Sequence, residues 1–195
     1  MITELTRFGK FPFLIIVPAT TIGNWIREFK KWAPSVVAID ICGTKKSRDL
    51  IRDNLVFSNS HSLKCHVVIA SYEHTLMDKS FFKKFSWQVL VCDEGHRLKN
   101  DESKTFSIVN SINAEHRVLL SGTPLQNNLR ELFNLMSFIA PDKFSDGSEW
   151  ETKYNDLSED KVLELHQELK PYFLRRTKKL VLTDLPPLVF FVYVG

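Results

Sequence analysis

Five short apolar runs, each bounded by polar or turn residues, constrain this chain more than any other feature: Phe13 to Val17, Val36 to Ile41, His66 to Ala70, Gln88 to Cys92 and Arg117 to Leu120. Runs of this length read as strands buried on both faces. Between them the period changes. Ile22, Trp25, Ile26 and Phe29 recur at helical spacing, and so do Phe106, Val109 and Ile112. Alternating strand and helix predicts an α/β fold, a parallel sheet covered by helices on both faces, with ligands at the carboxyl ends of the strands. After Pro124 the pattern turns helical: Leu129 to Ile139 is apolar-periodic, Pro141 stops it, and Lys161 to Lys170 is a second amphipathic segment before Pro171. The expected organisation is a sheet lobe over 1–140 and a helical extension over 141–195. The β-branched and aromatic tail Leu188 to Val194 reads as a strand.

A chain of 195 residues suits one sizeable core with an appended segment, and 15 Phe and 4 Trp supply the material for it. The net charge of +3 is too small to announce a nucleic-acid partner. The basic clusters Lys30-Lys31, Lys45-Lys46 with Arg48, Lys83-Lys84, Arg175-Arg176 and Lys178-Lys179 suit either a phosphate track or solvated helix faces. Cys42, Cys65 and Cys92 form no C-x-x-C pair, which argues against a disulfide framework and for a reducing compartment. His61, Cys65, His66 and His74 match no metal-ligand spacing and read as structural. Arg7 and Lys10 precede the apolar run from Phe11 to Val17, but the run is short and broken by Pro12, unlike a secretory leader. No apolar stretch approaches the roughly 20 residues of a membrane span, so no membrane partner is expected.

The chemistry concentrates where the runs end. Val89-Leu90-Val91-Cys92 leads straight into Asp93-Glu94-Gly95-His96. In nucleotide hydrolases an acid at the end of such a strand holds the magnesium that bridges the terminal phosphates, and a neighbouring carboxylate orients the attacking water. Two adjacent acids after a strand also describe an ordinary solvated turn, and the residues alone leave both readings open. Leu119-Leu120 likewise ends in Ser121-Gly122-Thr123-Pro124. The hydroxyls of Ser121 and Thr123 are suited to reporting the state of the acidic turn, and a simple turn is the alternative.

Together the segments resemble a family. Phe13-Leu-Ile-Ile-Val-Pro18, with Asn24-Trp25, Glu28-Phe29 and Trp32-Ala-Pro34, is similar to motif Ia and its helix in the SWI/SNF-type group of superfamily-two helicases. Ile69-Ala-Ser-Tyr-Glu73 resembles motif Ib, Asp93-Glu-Gly-His-Arg-Leu-Lys-Asn100 motif II, and Leu119-Leu-Ser-Gly-Thr-Pro-Leu-Gln-Asn-Asn128 with Glu131-Leu132 motif III. Leu174-Arg-Arg-Thr-Lys178 and Asp184-Leu-Pro-Pro187 resemble the segment leading to a second lobe. The flavour is closest to chromodomain-helicase or imitation-switch remodellers.

The resemblance implies a RecA-like first motor lobe of a nuclear, ATP- and magnesium-dependent machine that moves on double-stranded DNA and shifts nucleosomes. It implies Asp93 as the magnesium-side acid, Glu94 as the water-orienting base, and His96 beside them at the nucleotide. Ser121, Gly122, Thr123 and Gln126 are implied as coupling residues. Pro18, Thr20, Asn24, Trp25, Ser71 and Tyr72 are implied as the DNA track, and a second motor lobe as a partner.

The match breaks upstream. Relatives carry a glycine-rich loop ending in Gly-Lys-Thr, whereas Gly9-Lys10 is followed here by Phe11, and Thr3 to Arg7 reads as the end of the helix after that loop. The second lobe, with its arginine finger, is also absent from these 195 residues. Such a finger is worth ~10³–10⁵ in rate, so the chain by itself is expected to hydrolyse ATP negligibly. Two other readings compete: a short non-catalytic product that binds DNA or a partner, and an unrelated enzyme on a RecA-like sheet.

Overall fold

The computed structural model describes residues 1–56, 64–122, 129–154 and 158–174. Five strands form one parallel sheet: β1 (Phe13–Val17), β2 (Ala38–Ile41), β3 (Val67–Ser71), β4 (Trp87–Cys92) and β5 (Ala114–Leu119), in the order β2-β3-β1-β4-β5. The described helices are α1 (Ile2–Arg7), α2 (Ile22–Trp32), α3 (Lys45–Ile51), α4 (Tyr72–Met77), α5 (Lys79–Lys83), α6 (Lys104–Asn110), α7 (Leu129–Ile139), α8 (Gly147–Tyr154) and α9 (Glu159–Leu169). The expected α/β fold is therefore observed. Every expected run inside the described residues is a strand, displaced by three residues at most.

Register explains why the sheet can build a site. Ile16 pairs with Ala70 of β3 on one side and with Cys92 of β4 on the other, while Cys92 also pairs with Leu119 of β5. The carboxyl ends of β1, β3, β4 and β5 are thus level, and Pro18, Tyr72, Asp93 and Leu120 leave the sheet along one edge. The order of strand addition reverses at β1: the chain runs outward to β2, returns through β3, and crosses to β4 and β5 on the other side. Such a switch point is where parallel sheets open a crevice.

Strand alternation sorts the core into two layers. Phe13, Ile15, Val17, Val67, Ile69, Val89 and Val91 pack with Ile22, Trp25, Ile26 and Phe29 of α2 and with Ile2 and Leu5 of α1. Leu14, Ile16, Val68, Ala70, Leu90 and Cys92 pack with Tyr72, Phe81, Phe82, Phe106, Val109 and Phe138 on the helices α4 to α7. A fully buried Leu or Ile contributes about 1.5–3 kcal/mol, so strands buried on both faces anchor the lobe. β5 is different: Glu115 and His116 are exposed, which is why only its second half looked strand-like in sequence.

Polar side chains fix several helix starts and tie helices to the sheet. Thr44, Ser71 and Ser103 accept hydrogen bonds from the N–H groups of Ser47, His74 and Phe106, capping α3, α4 and α6. Arg48, 5% exposed, donates through Nε to Asp78 at 2.6 Å and through Nη1 to the Gly43 carbonyl at 2.7 Å. Arg117 donates to the carbonyls of Asn110 and Phe138 at 2.9 and 3.0 Å, tying β5 to α6 and α7. His66 Nδ1 accepts the Val37 N–H at 2.9 Å, and all three cysteines are free thiols.

Two compact units are distinguished, Met1–Lys153 and Tyr154–Gly195. Within the first, Trp150 of α8 packs on Phe133 of α7 with ring centroids 5.6 Å apart. Within the second, the Tyr154 hydroxyl donates to Glu168 of α9, and Lys161 pairs with Glu164 at 3.4 Å. The expected tail strand, Leu188 to Val194, lies outside the described residues, as does Arg175 to Pro187. No helix among the described residues is long and apolar enough to cross a membrane.

Candidate functional site

Asp93 is the first residue beyond β4, and its N–H continues the parallel ladder by donating to the Ile16 carbonyl at 2.8 Å. Its carboxylate is held from two directions. Oδ2 accepts the indole N–H of Trp25 at 3.0 Å, and Oδ1 accepts the N–H of Glu94 at 3.0 Å. Its own carbonyl accepts the Tyr72 hydroxyl at 2.7 Å. Burial pushes the Tyr72 hydroxyl above its ordinary range, so it stays protonated and donates. An ionised carboxylate offers about four lone-pair sites, so both Asp93 oxygens keep capacity for a further partner.

Glu94 adopts the left-handed conformation, with φ 52° and ψ 50°. It is the one non-glycine residue with positive φ among the described residues. That region costs an L-residue roughly 1–2 kcal/mol and persists only where the surroundings impose it. Here they do. The Gly95 N–H donates to the Leu120 carbonyl at 2.8 Å, the Leu120 N–H to Cys92 at 2.9 Å, and the Arg97 N–H to Glu94 at 3.0 Å. Gly95 itself is pressed on β5: a Cβ there would lie 3.1 Å from Leu119 Cβ. The half-buried Glu94 carboxylate faces His96, with Oε2 3.2 Å from Nδ1. Two carboxyl residues thus stand rigidly at the end of a central strand, which suits binding a cation with one and orienting water with the other.

The other expected residues gather on the same edge in different states. Ser121 and Gly122 are exposed directly after Leu120, whereas Thr123 and Gln126 lie outside the described residues. Thr20 and Asn24 are exposed around the start of α2, and Pro18 is half-buried after β1. Ser71 is fully buried and its hydroxyl caps α4; Tyr72 is 1% exposed. Three structural roles escaped the sequence reading. Arg97 pairs with Glu73 at 3.0 Å and lies 5.1 Å over the Tyr72 ring, Gly95 permits close contact with β5, and Trp25 holds Asp93 across 68 residues of sequence. The Gly95 role had a visible signal, a glycine directly after a strand-ending acid pair. The Trp25 contact had none, since it requires the β1–β4 register.

A magnesium nucleotide would need hard oxygen donors at this edge, which Asp93 and Glu94 supply. Among the described residues no group of three or more His, Cys, Asp or Glu is placed to hold a metal ion. Magnesium needs no such cage when phosphates complete its shell, because one or two carboxylates then suffice. Asp93, with hard oxygen donors and remaining lone pairs, fits that arrangement.

Comparison with known proteins shows the family. The chain matches the SNF2-related domain family over residues 2–193. It is 45% identical over 182 residues to the chromatin remodeling factor mit1 of Schizosaccharomyces pombe, covering 92% of this chain and 13% of that protein. It is 37% identical to the CHD3-type chromatin-remodeling factor PICKLE of Arabidopsis thaliana, covering 96% of this chain and 15% of the relative. With the human SWI/SNF-related matrix-associated actin-dependent regulator of chromatin subfamily A member 1 the identity is 44%, over 90% of this chain and 17% of that protein. The chain therefore spans less than a fifth of the length of each of these relatives. In structure it is similar to the Sulfolobus solfataricus SWI2/SNF2 ATPase core solved in complex with dsDNA, with a TM-score of 0.79 at 26% identity, over 95% of this chain and 38% of that one. A parallel sheet with this acidic edge and a family match across nearly its whole length lead to one conclusion: the chain belongs to the SNF2-related domain family.

Proposed function

We propose that this chain is part of the first motor lobe of a nuclear, ATP-dependent DNA translocase that remodels nucleosomes, with a second lobe supplied elsewhere in the whole protein. The observation that carries the reading is Asp93, pinned at the end of β4 by Trp25 and Tyr72 with Glu94 fixed beside it. In this reading Asp93 holds magnesium, which when bound neutralises charge on the terminal phosphates. Glu94 orients the attacking water, and His96 neighbours the nucleotide. Ser121, Gly122, Thr123 and Gln126 relay the state of the acidic turn toward the second lobe. Duplex DNA runs past Pro18, Thr20 and Asn24, of which Thr20 and Asn24 are exposed.

The test is made in the full-length motor, where the nucleotide site is whole. Glu94→Gln is expected to keep ATP and magnesium binding while single-turnover hydrolysis falls by about 10²–10⁴-fold, the usual worth of a positioned base. Asp93→Asn is expected to weaken magnesium-dependent nucleotide binding itself, because a neutral amide is a poorer partner for a hard dication. Near-normal hydrolysis in the Glu94 variant removes the catalytic assignment. For the DNA track, duplex affinity should fall with salt by about −0.9 in log–log slope per phosphate neutralised, without strong sequence preference.

A further inference from the structure

Two of the side chains that the resemblance puts on the DNA track have their polar atoms committed elsewhere. The Trp25 indole N–H points to Asp93 Oδ2 at 3.0 Å, and the Tyr72 hydroxyl to the Asp93 carbonyl at 2.7 Å. Tyr72 is 1% exposed and Arg97 lies over its ring. Trp25 is half-buried and packs against Phe29, with ring centroids 6.3 Å apart. Thr20 and Asn24, which precede Trp25 in sequence, are exposed around the start of α2.

We propose that Trp25 and Tyr72 are positioning residues for Asp93, tying α2 and α4 to the acid, and do not themselves touch duplex DNA. The inference deepens the motor reading above and rests on it for its purpose. The geometry supplies the reason. A carboxylate at the end of a strand has two free side-chain torsions, and the indole N–H selects one orientation by binding one oxygen while Glu94 N–H takes the other. Tyr72 fixes the peptide carrying that carboxylate. A shift of either helix as its exposed edge engages a duplex would therefore be felt at Asp93 directly, without intervening side chains.

The test uses the 195-residue chain for two measurements that need no turnover. A hydrogen bond to a carboxylate deshields an indole proton, so of the four tryptophan indole N–H resonances the Trp25 one, assigned by its loss in Trp25→Phe, should shift on Asp93→Ala while the other three stay. Duplex affinity of Trp25→Phe, which keeps a ring and loses only the N–H, should stay within about twofold, since phosphate contacts carry that affinity. An indole resonance indifferent to Asp93→Ala, or a duplex affinity reduced by about tenfold or more, each overturns the proposal. Should Trp25→Phe fail to fold, Tyr72→Phe takes its place in the duplex measurement, and the Trp25 resonance is assigned by sequential connectivity. In the full-length motor, Trp25→Phe should raise the magnesium needed for half-maximal nucleotide binding by about tenfold, the worth of one hydrogen bond to a charged group. A motor without any ATPase would sink the functional reading and leave the resonance and affinity results standing, so the two failures are distinguishable.

Discussion

The exits of β4 and β5 lie side by side on one sheet edge and are built on opposite plans. β4 is covered on both faces and paired on both sides, and Asp93 beyond it is fixed by Ile16, Trp25 and Tyr72. β5 ends the sheet order, exposes Glu115 and His116, and leads into Leu120, Ser121 and Gly122, all exposed. What binds the two exits is a pair of backbone hydrogen bonds, Leu120 N–H to Cys92 and Gly95 N–H to Leu120. The central exit is over-determined and can hold a strained residue. The edge exit is tied mainly toward the acid, which suits a segment meant to respond to it. The variants of Glu94 and Asp93 described above are the strongest attack on this contrast, because only an over-determined exit gives two adjacent acids such different failures.

The next largest effect is expected at the seam. Gly95→Ala would put a Cβ 3.1 Å from Leu119 Cβ and 3.2 Å from its Cδ2. Overpacking of this kind costs about 1–3 kcal/mol, and the smaller unfolded-state entropy of alanine offsets about 0.4–1 kcal/mol. Chemical denaturation should show a net loss of about 1–2 kcal/mol. An unchanged midpoint would mean that β5 yields freely and the seam is not a fixed contact.

Much of this arrangement could be read from the residues, and the remainder has identifiable causes. β1 and α7 coincide with their expected spans because each carries an uninterrupted apolar pattern. Asp93, Glu94 and Ser121 were expected at strand ends, and the parallel register brings them to one edge. The helices α3 and α8 went unread, since Lys45–Ile51 and Gly147–Tyr154 are mostly polar. Thr44 three residues before Ser47 was the available sign for α3, a cap whose partner is a backbone N–H. The bonds from Arg48 to Asp78 and from Arg117 to the Phe138 carbonyl had no local signal, because the partners lie 30 and 21 residues away in sequence. The left-handed Glu94 had no local signal at all, as glutamate has no preference for that region.

Strain at Glu94 gives a smaller effect with a distinctive sign. At ordinary positions alanine is at least as stable as glycine, because glycine has more freedom to lose on folding. At φ 52° the order should invert. Glu94→Gly is expected to be more stable than Glu94→Ala by about 0.5–1 kcal/mol, the left-handed penalty less the extra entropy of glycine. Both variants lack the carboxylate, so the comparison isolates the backbone. If alanine is the more stable, the turn relaxes out of the left-handed region and the central exit is less rigid than its hydrogen bonds imply.

The smallest effect is expected at the edge exit, where Gly122 is the counterpart of Gly95. Among the described residues a Cβ added at Gly122 meets nothing within 4 Å, and its backbone lies outside the left-handed region. Neither steric contact nor φ demands glycine there, so Gly122→Ala should change unfolding free energy by no more than about 0.5 kcal/mol. The same substitution in the full-length motor then separates two uses of the residue. A motor that keeps its DNA-stimulated ATPase shows that Gly122 is a plain turn, and the coupling role proposed for it falls. A motor that binds nucleotide and duplex normally but loses stimulation, with stability unchanged, shows that glycine is needed in a conformation reached only during the cycle. The contrast with Gly95 is what makes this informative, since one glycine is required by the resting structure and the other would be required by a change of state.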